Sequence, residues 1–482
     1  MDREKQRRLG AWYTPTALVD FVLERALAVA GDRIARVLDP SCGDGRFLAA
    51  AQVFLPSATL LGTDIDPGAV DAARTSVAHA TIVKTDALSW TTDPVDLIVG
   101  NPPFLSQMSS RTSRGGTSDL GGGPYADTAA LFLARSLGLV RPDGGVVALV
   151  LPQSILATRD AGPIRVAAAT GAALTDLWVA GGPMFDAAVH TIVAVFKRGE
   201  RQGAIRRWFG PQFASVAPVE EPGDLSTMSS WSFLASDLAG VPSVSPVTNG
   251  TLADIATVTA DFRDQYYGLI GAVGDDGDGP PLITCGLIDV AQNLWGTRQT
   301  RFAKQVYRAP RVNVAVLSPS LQTWAAARLV PKVLMATQTK VIEAIADPDG
   351  ALLPSVPVIS IVPYNPDDVW RVLAVVLAPS TSAWAATQYL GAGLTSTAIK
   401  LSATQVRTLP LPCGSWDDGA DLVRQGQLDA FATVMNAHYD VPTQPVTGWW
   451  QARRRSAHQP TSPEPEVCTP DEVGRGCHSP AD

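Results

Sequence analysis

The sequence has few cysteines, no long apolar run and no apolar leader segment. Its five cysteines are scattered among 482 residues without paired spacing, which indicates reduced thiols in a cytosolic compartment rather than a disulfide framework. The longest apolar runs, such as residues 372–378, fall far short of the roughly 18 residues that indicate a membrane span. The charged N-terminus lacks the apolar segment of a secretory signal. These absences predict a cytoplasmic protein that has no membrane partner.

Charged residues are scarce, and neither a metal-binding nor a nuclease pattern is present. Only 17% of the residues are charged and the net charge is −8, which argues against binding a polyanion over the whole surface. The 46% of hydrophobic residues can form sizeable cores, and the length suggests about two or three domains. Cys468, Cys477 and His478 lack the spacing of zinc ligands, so we predict no metal site. Without a paired acid and Glu-x-Lys at a strand end, we also predict no cleavage activity.

The first 200 residues alternate short apolar runs with amphipathic segments. Continuous runs of Val, Ile and Leu that alternate with helices indicate a largely parallel sheet covered on both faces. We therefore predict an α/β domain over residues 1–200. Strands are predicted at 36–39, 59–64, 81–86, 95–100, 145–151 and 190–196, and helices at 45–55, 67–78 and 127–140.

Composition divides the rest of the chain into three parts. Residues 201–250 are rich in Pro, Ser and Gly, which indicates a loosely structured joining segment. Residues 251–450 show mixed strand and helix signals, and we predict a second, α+β domain there. Residues 451–482 hold five prolines among polar residues and are expected to be disordered.

Three acidic residues end successive predicted strands, and the first of them opens a glycine-rich turn. That turn reads Asp39-Pro40-Ser41-Cys42-Gly43-Asp44-Gly45, and its glycines let the backbone approach a ligand closely. Asp64 follows 19 residues after the last glycine, near the spacing at which an acid meets ribose hydroxyls. Asp86 ends the third strand and can accept from an adenine amino group. Helix capping explains Asp64 or Asp86 singly, but together they favour a nucleoside without pyrophosphate, because a second phosphate-binding glycine pattern is missing.

The fourth predicted strand runs directly into Asn101-Pro102-Pro103-Phe104. The two prolines fix the backbone and remove two N–H donors, so this turn presents carbonyl acceptors. An adenine amino nitrogen is a poor nucleophile because its lone pair is delocalised into the ring. The Asn101 amide oxygen and the Pro102 carbonyl can both accept from that amine, which concentrates electron density on nitrogen. Phe104 would stack on a base that has been flipped out of a duplex.

Taken in chain order, these residues resemble the gamma-class, TaqI-type N6-adenine DNA methyltransferases. The resemblance begins at Tyr13-Thr14-Pro15 and covers roughly residues 10–198, with the motifs in the family's order. It implies S-adenosylmethionine as cofactor and a Rossmann-like domain with a central, mostly parallel sheet of seven strands. It also places Phe185 against the extruded base, for which a core position is the alternative. The cofactor-binding residues that it implies are Tyr13, Thr14, Pro15, Asp39, Pro40, Cys42, Gly43, Gly45, Asp64, Ile65, Asp86, Ala87 and Asn101.

The resemblance implies a site-specific enzyme that methylates N6 of a flipped-out adenine in double-stranded DNA. Such an enzyme is the modification component of a restriction-modification or phage-defence system, with a separately encoded nuclease or other defence proteins as partners. A protein-glutamine N5-methyltransferase or an RNA methyltransferase, which shares the Asn-Pro-Pro-Phe pattern, stays an alternative. A non-catalytic DNA-binding protein on the same fold is the second alternative.

Residues 291–340 contain eight lysines and arginines, interleaved with aromatic residues, and no acidic residue. A single charged run is ordinarily a solvated surface, but in a chain of net charge −8 this excess is suited to phosphate contact. Residues 400–412 are similar to the closing segment of target-recognition domains, so we predict such a domain over residues 251–450. The predicted DNA-binding residues are Arg298, Arg301, Lys304, Arg308, Lys332 and Lys340.

Overall fold

The computed structural model describes residues 14–31, 34–104, 119–123, 126–184, 189–391 and 398–456. Two predicted site residues, Tyr13 and Phe185, lie outside these ranges, as do residues 457–482 of the predicted tail. Within the described residues, the N-terminal and C-terminal regions each build their own apolar cores.

The N-terminal region alternates strands and helices as the sequence predicts. Its strands are β1 (Arg36–Asp39), β2 (Thr59–Asp64), β3 (Thr81–Lys84), β4 (Leu97–Gly100), β5 (Val146–Pro152), β6 (Ala172–Pro183), β7 (His190–Arg198), β8 (Ile205–Phe209) and β9 (Ala214–Val219). Its helices are α1 (Thr16–Ala30), α2 (Arg46–Phe54), α3 (Pro67–Ser76), α4 (Thr128–Leu139), α5 (Gly162–Gly171) and α6 (Phe233–Ser236), with 3₁₀ turns at Gln153–Leu156 and Asp237–Ala239.

These nine strands form one sheet in the order β3-β2-β1-β4-β5-β7-β6-β8-β9. Strands β1 to β5 are parallel to one another, whereas β7 runs antiparallel between β5 and β6. Chain order reverses between β1 and β4, and their carboxyl ends form the switch point at which α/β sheets bind ligands. The sheet has nine strands rather than the expected seven because β8 and β9 extend it beyond β6.

Alternate side chains of the central strands enter two different cores. Val37, Leu97 and Val146 pack with α1, α2 and α3 on one face of the sheet. Leu38 and Ile98 pack with α4 and α5 on the other face. Because helices cover both faces, β4 and β5 are buried along their whole length. This packing explains the continuous apolar runs that predict the two strands.

Part of the predicted joining segment belongs to this sheet. Residues 205–219 supply β8 and β9, and Trp231 is buried in the core beside α4. The sequence pattern also did not indicate β6. Its Asp176 is buried and forms a 2.7 Å ion pair with Arg206 of β8, so a polar residue interrupts the apolar pattern.

The C-terminal region contains many short strands and a set of helices. Its strands are β10 (Ala256–Ala260), β11 (Val273–Gly274), β12 (Leu282–Ile283), β13 (Ile288–Asp289), β14 (Gln292–Asn293), β15 (Thr300–Phe302), β16 (Gln305–Tyr307), β17 (Arg311–Val312), β18 (Lys332–Met335), β19 (Gln338–Thr339), β20 (Ala344–Asp347), β21 (Leu353–Pro354), β22 (Ile359–Pro363) and β23 (Ile399–Lys400). Its helices are α7 (Arg263–Gly268), α8 (Pro319–Arg328), α9 (Val369–Leu377), α10 (Pro379–Tyr389), α11 (Ala403–Arg407), α12 (Asp417–Arg424), α13 (Leu428–His438) and α14 (Thr443–Ser456). Residues 451–456 of the predicted tail are therefore helical.

A four-stranded antiparallel sheet, β10-β22-β18-β20, lies at the centre of the C-terminal region. Helices α9 to α14 share its large core, and a smaller core around Leu269, Phe302 and Ala325 holds α7, α8 and the hairpin of β15 and β16. These elements agree with the α+β composition expected there. Among the described residues no single helix is long and apolar enough to cross a membrane. The bent helix pair Pro366–Leu377 and Pro379–Tyr389 meets these two criteria together, by length and composition alone.

Candidate active site

The residues that follow β1 and β4 meet at the switch point of the sheet. Leu38 of β1 pairs with Ile98 of β4, which brings the last residues of both strands side by side. A Cβ atom on Gly100 would lie only 2.7 Å from Asp39 Oδ1, so a larger residue at that position has no room. The Asp39 carboxylate therefore lies directly against the residue that precedes Asn101.

The glycine turn between β1 and α2 is held open by backbone geometry. Gly43 and Gly45 have φ values of 55° and 88°, in the left-handed region that favours glycine. The Gly43 N–H donates to Asp64 Oδ2 at 3.0 Å, which ties the turn to the end of β2. Burial raises the pKa of Asp64, and the backbone N–H groups of Asp66 and Gly43 oppose this shift. The turn and two acidic strand ends thus form one hydrogen-bonded unit.

Asp39 is the most deeply buried of the three acids, with 1% of its surface exposed. Burial raises the pKa of its carboxyl group to about 8, and the neighbouring charges of Asp64 and Asp44 add to the increase. A backbone N–H from Ser41, 3.0 Å from Asp39 Oδ1, partly opposes it. A buried carboxyl group with a raised pKa is poised to bind a cation, because a positive charge beside it favours the ionised form.

Asn101 is fixed by a residue that lies before α1. Its Nδ2 donates to the hydroxyl oxygen of Thr14 at 3.1 Å, although 87 positions separate the two residues. Arg46 of α2 donates from Nη1 to the Thr14 carbonyl at 3.2 Å and pairs through Nε with Asp44 at 2.9 Å. The sequence marked Thr14 as a cofactor contact, but nothing in its pattern indicated the contact with Asn101 or the role of Arg46.

The rest of the tetrapeptide packs against the sheet. Pro102 is buried, and Pro103 and Phe104 are half-buried. The Phe104 ring contacts apolar cores on both faces of the sheet. This packing holds the turn rigidly at the end of β4.

The third acid differs from the other two. Asp86 is exposed, and its Oδ1 accepts from the backbone N–H of Leu88 at 3.0 Å, as in a turn cap. Its neighbour Ala87 is buried at 4% exposure. Ile65, directly after the second acid, is an exposed large hydrophobic residue at 61% exposure. An exposed isoleucine at this edge offers an apolar surface to a flat ligand.

Four of the predicted DNA-binding residues, Arg298, Arg301, Lys304 and Arg308, are exposed, and Lys340 is half-buried. Residues 291–340 contain no acidic residue, but an acidic residue from another part of the chain lies close to them. The Asp275 carboxylate accepts from the backbone N–H groups of Arg308 and of the next residue, Ala309, at 2.9 to 3.0 Å. The local excess of positive charge is therefore smaller than the sequence suggests.

The prediction that Lys332 contacts DNA is wrong. Lys332 lies in the central strand β18 with 0% exposure, and its ammonium group pairs with the buried Asp347 of β20. Burial lowers the pKa of Lys332, and the Asp347 charge opposes this change. A lysine inside a sheet cannot reach a phosphate, so charge counting along the sequence misplaced it.

Comparison with known proteins relates the N-terminal region to methyltransferases. Residues 21–115 match the family described as the methyltransferase small domain. A type II methyltransferase of Paramecium bursaria Chlorella virus XZ-6E is 30% identical over 149 residues, which are 30% of this chain and 37% of that protein. One from Thermus thermophilus is 30% identical over 231 residues, 45% of this chain and 52% of that protein. The chain spans about a third to a half of the length of these relatives.

A similarity of fold covers nearly the whole chain. The structure of the type IIL restriction-modification enzyme MmeI in complex with DNA matches 95% of this chain and 76% of that chain, with a TM-score of 0.55 and 11% identity. The chain is thus similar to methyltransferases in sequence, over residues 21–115 for the family and over part of its length for the two type II enzymes, and similar to MmeI in fold. The cofactor that these similarities imply is S-adenosylmethionine, and the residues present fit it: the turn at Gly43 admits a close approach, and the carboxyl groups of Asp39 and Asp64 are suited to cationic and hydroxyl groups.

The binding of S-adenosylmethionine is expected to strengthen as pH rises towards 8. The pKa of Asp39 is raised to about 8, so the carboxyl group is mostly neutral below that pH, whereas the cationic cofactor binds better to the ionised form. The dissociation constant should fall by up to about tenfold per pH unit between pH 6 and 8. Calorimetric titration across this range measures the effect, and Asp39→Asn should flatten it. A pH-independent dissociation constant in the wild type would show that Asp39 does not bind the cofactor.

Proposed function

We propose that this chain is a site-specific DNA methyltransferase that methylates N6 of an adenine flipped out of double-stranded DNA. One observation carries the proposal: Asn101-Pro102-Pro103-Phe104 begins at the switch point, against the buried Asp39 carboxylate. This position supports a role for the acceptors of the tetrapeptide beside the proposed cofactor site. The related type II methyltransferases and the DNA complex of MmeI support DNA as the substrate.

The chemistry assigns separate tasks to the residues of the tetrapeptide. The Asn101 amide oxygen and the Pro102 carbonyl accept from the adenine amine, which localises its lone pair on nitrogen. S-adenosylmethionine, when bound, supplies an electrophilic methyl group on a sulfonium sulfur. Asn101 and Pro102 would hold the amine nitrogen towards that methyl carbon, and transfer would leave the C–S bonding electrons on sulfur and release one proton from the nitrogen to water. Phe104 stacks on the flipped base and, with Phe185, holds its plane.

The cofactor residues implied by the sequence are part of the same proposal. Asp39 binds the cationic end, and the further residues assigned to the cofactor by the resemblance are Tyr13, Thr14, Pro15 and Pro40. Asp64 accepts from the ribose hydroxyls, and Cys42, Gly43 and Gly45 shape the turn beneath them. Ile65 and Ala87 contact the adenine ring of the cofactor, and Asp86 accepts from its amino group. The exposed face of Ile65 at the end of β2 supports this arrangement.

Incubation of duplex DNA with methyl-labelled S-adenosylmethionine and the purified chain tests the proposal. After digestion to nucleosides, mass spectrometry should find the label on N6-methyladenine. Label on the amino group of cytosine would support DNA as the substrate but would exclude adenine as the methylated base. Label on RNA or on protein glutamine, with none on DNA, would favour the alternative substrates that share the tetrapeptide.

We further propose that the C-terminal region binds DNA through Arg298, Arg301, Lys304 and Arg308, which are exposed. Changing the first three to glutamine should reduce the magnitude of the slope of log affinity against log salt by about 2 to 3. Fluorescence anisotropy with labelled duplex from 50 mM to 200 mM salt is the measurement. The matched control changes the exposed Arg74, Arg201 and Arg424, which should leave the slope as it is. Equal slopes for the wild type and the first variant would place the DNA elsewhere.

The wider role that we propose is modification within a restriction-modification or phage-defence system. A separately encoded nuclease, or another defence protein, is then the partner that reads the methylated state. Co-purification of the chain with a separately encoded nuclease would support this role, and failure to co-purify would count against it. Neither result bears on the chemistry.

A further inference from the structure

The contact between Thr14 and Asn101 joins two parts of the site that the chain brings together from far apart. Thr14 is 5% exposed, and its hydroxyl oxygen accepts from Asn101 Nδ2 at 3.1 Å. The two residues do not belong to the same helix or strand, since Thr14 precedes α1 and Asn101 follows β4. The hydroxyl is therefore aimed at the amide by tertiary structure alone.

Two further contacts fix the position of the Thr14 backbone. Its carbonyl accepts from Arg46 Nη1 at 3.2 Å, and Arg46 pairs through Nε with Asp44 of the glycine turn at 2.9 Å. The next residue, Pro15, begins the helix, because its carbonyl accepts from the backbone N–H of Leu18 at 2.9 Å. With the backbone held on both sides, the hydroxyl group stays at one place beside Asn101.

The orientation of the Asn101 amide matters because its two ends have opposite roles. The NH₂ end donates, so it would repel a substrate amine that also donates. The oxygen end accepts, and only this end can draw density onto the amine nitrogen. The two orientations have nearly the same shape, so packing alone does not select between them. In the orientation of the structure the Thr14 hydroxyl accepts from the NH₂ end, whereas the flipped amide would require the same hydroxyl to donate.

We infer that Thr14 is a positioning residue: its hydroxyl oxygen accepts from Asn101 Nδ2 and so keeps the amide oxygen directed at the substrate amine. The inference rests on the proposed function, since it assigns a task to a neighbour of the same tetrapeptide. It differs from the cofactor contact that the sequence implies for Thr14, and the two roles affect different constants.

The isosteric variant Thr14→Val separates these roles. If Thr14 orients the amide, kcat measured at saturating S-adenosylmethionine and DNA should fall by about tenfold, while the dissociation constant for DNA changes by less than about twofold. Thr14→Ser keeps the hydroxyl and should restore kcat to within about threefold of the wild type. A variant with weakened cofactor binding and unchanged kcat would overturn the inference in favour of a cofactor contact. A serine variant as slow as the valine variant would overturn it in favour of methyl-group packing.

A double-mutant cycle with Asn101→Asp compares the loss of activity caused by Thr14→Val in two backgrounds. A loss due to packing alone would be the same in both. A carboxylate presents oxygen at both ends, so it needs no neighbour to select an orientation. In that background Thr14→Val should therefore cost clearly less activity than it does beside the native amide. Equal losses in both backgrounds would contradict the inference. Failure of the proposed function is recognised separately. Full activity of Asn101→Ala would show that the tetrapeptide has no catalytic role, whatever the effect of Thr14 variants.

Discussion

Replacing Asn101 by alanine is expected to lower kcat by about a hundredfold to a thousandfold, the range seen when one acceptor or donor aimed at a reacting group is removed. The side chain leaves β4 at the switch point and is held by Thr14 at 3.1 Å. Without its oxygen, the adenine lone pair stays delocalised in the ring. Steady-state methyl transfer with labelled S-adenosylmethionine and a duplex substrate measures the loss.

The binding of S-adenosylmethionine by the same variant should stay within about threefold of the wild type, because Asp39 and Asp64 hold the cofactor in this account. The matched control is Asn249→Ala, at an exposed asparagine of the C-terminal region, which should keep full activity. If Asn101→Ala instead lost cofactor binding and kept kcat at saturation, Asn101 would be a cofactor residue and the catalytic assignment would be wrong.

Replacing Lys332 by alanine is expected to lower the free energy of unfolding by about 3 to 5 kcal/mol, because it leaves a buried charge without its partner. The side chain has 0% exposure, and its partner Asp347 has 3%. Asp347 also accepts from the backbone N–H groups of Ala351 and Leu352, so it cannot turn outward to water without further loss. Urea unfolding of the full chain, followed by tryptophan fluorescence, measures the change.

Two comparison variants make the stability prediction specific. Lys332→Met with Asp347→Asn removes both charges and keeps an acceptor for the backbone, so it should recover much of the loss. Arg301→Ala removes a charge from an exposed position and should change the free energy of unfolding by less than about 0.5 kcal/mol. A loss for Lys332→Ala no larger than that for Arg301→Ala would contradict the buried ion pair.

The part of the fold that the sequence predicted best is the part buried on both faces. The strands at 36–39 and 59–64 were predicted to the residue, because a covered parallel sheet imposes an unbroken apolar run. The glycine turn was equally visible, since its backbone requires residues that tolerate positive φ. These features follow from local chemistry, and local chemistry can be read along one chain.

The features that the sequence concealed depend on distant residues. β6 carries the buried Asp176, which is tolerated only because Arg206 of β8 pairs with it. Lys332 looked like part of a basic surface, and only Asp347 across the sheet explains its burial. The contact of Thr14 with Asn101 spans 87 positions and has no periodic signal. Pairings of this kind arise from topology, so no pattern along the chain indicates them.

In the proposed function, the turn Asn101-Pro102-Pro103-Phe104 activates an adenine amine for methylation. Single-molecule sequencing of DNA from cells that express the wild-type chain or the Asn101→Ala variant tests this claim most directly. We predict N6-methyladenine at one recurring sequence with the wild type and unmodified adenine at that sequence with the variant. Methylation that persists in the variant, or a modified base other than adenine, would contradict it.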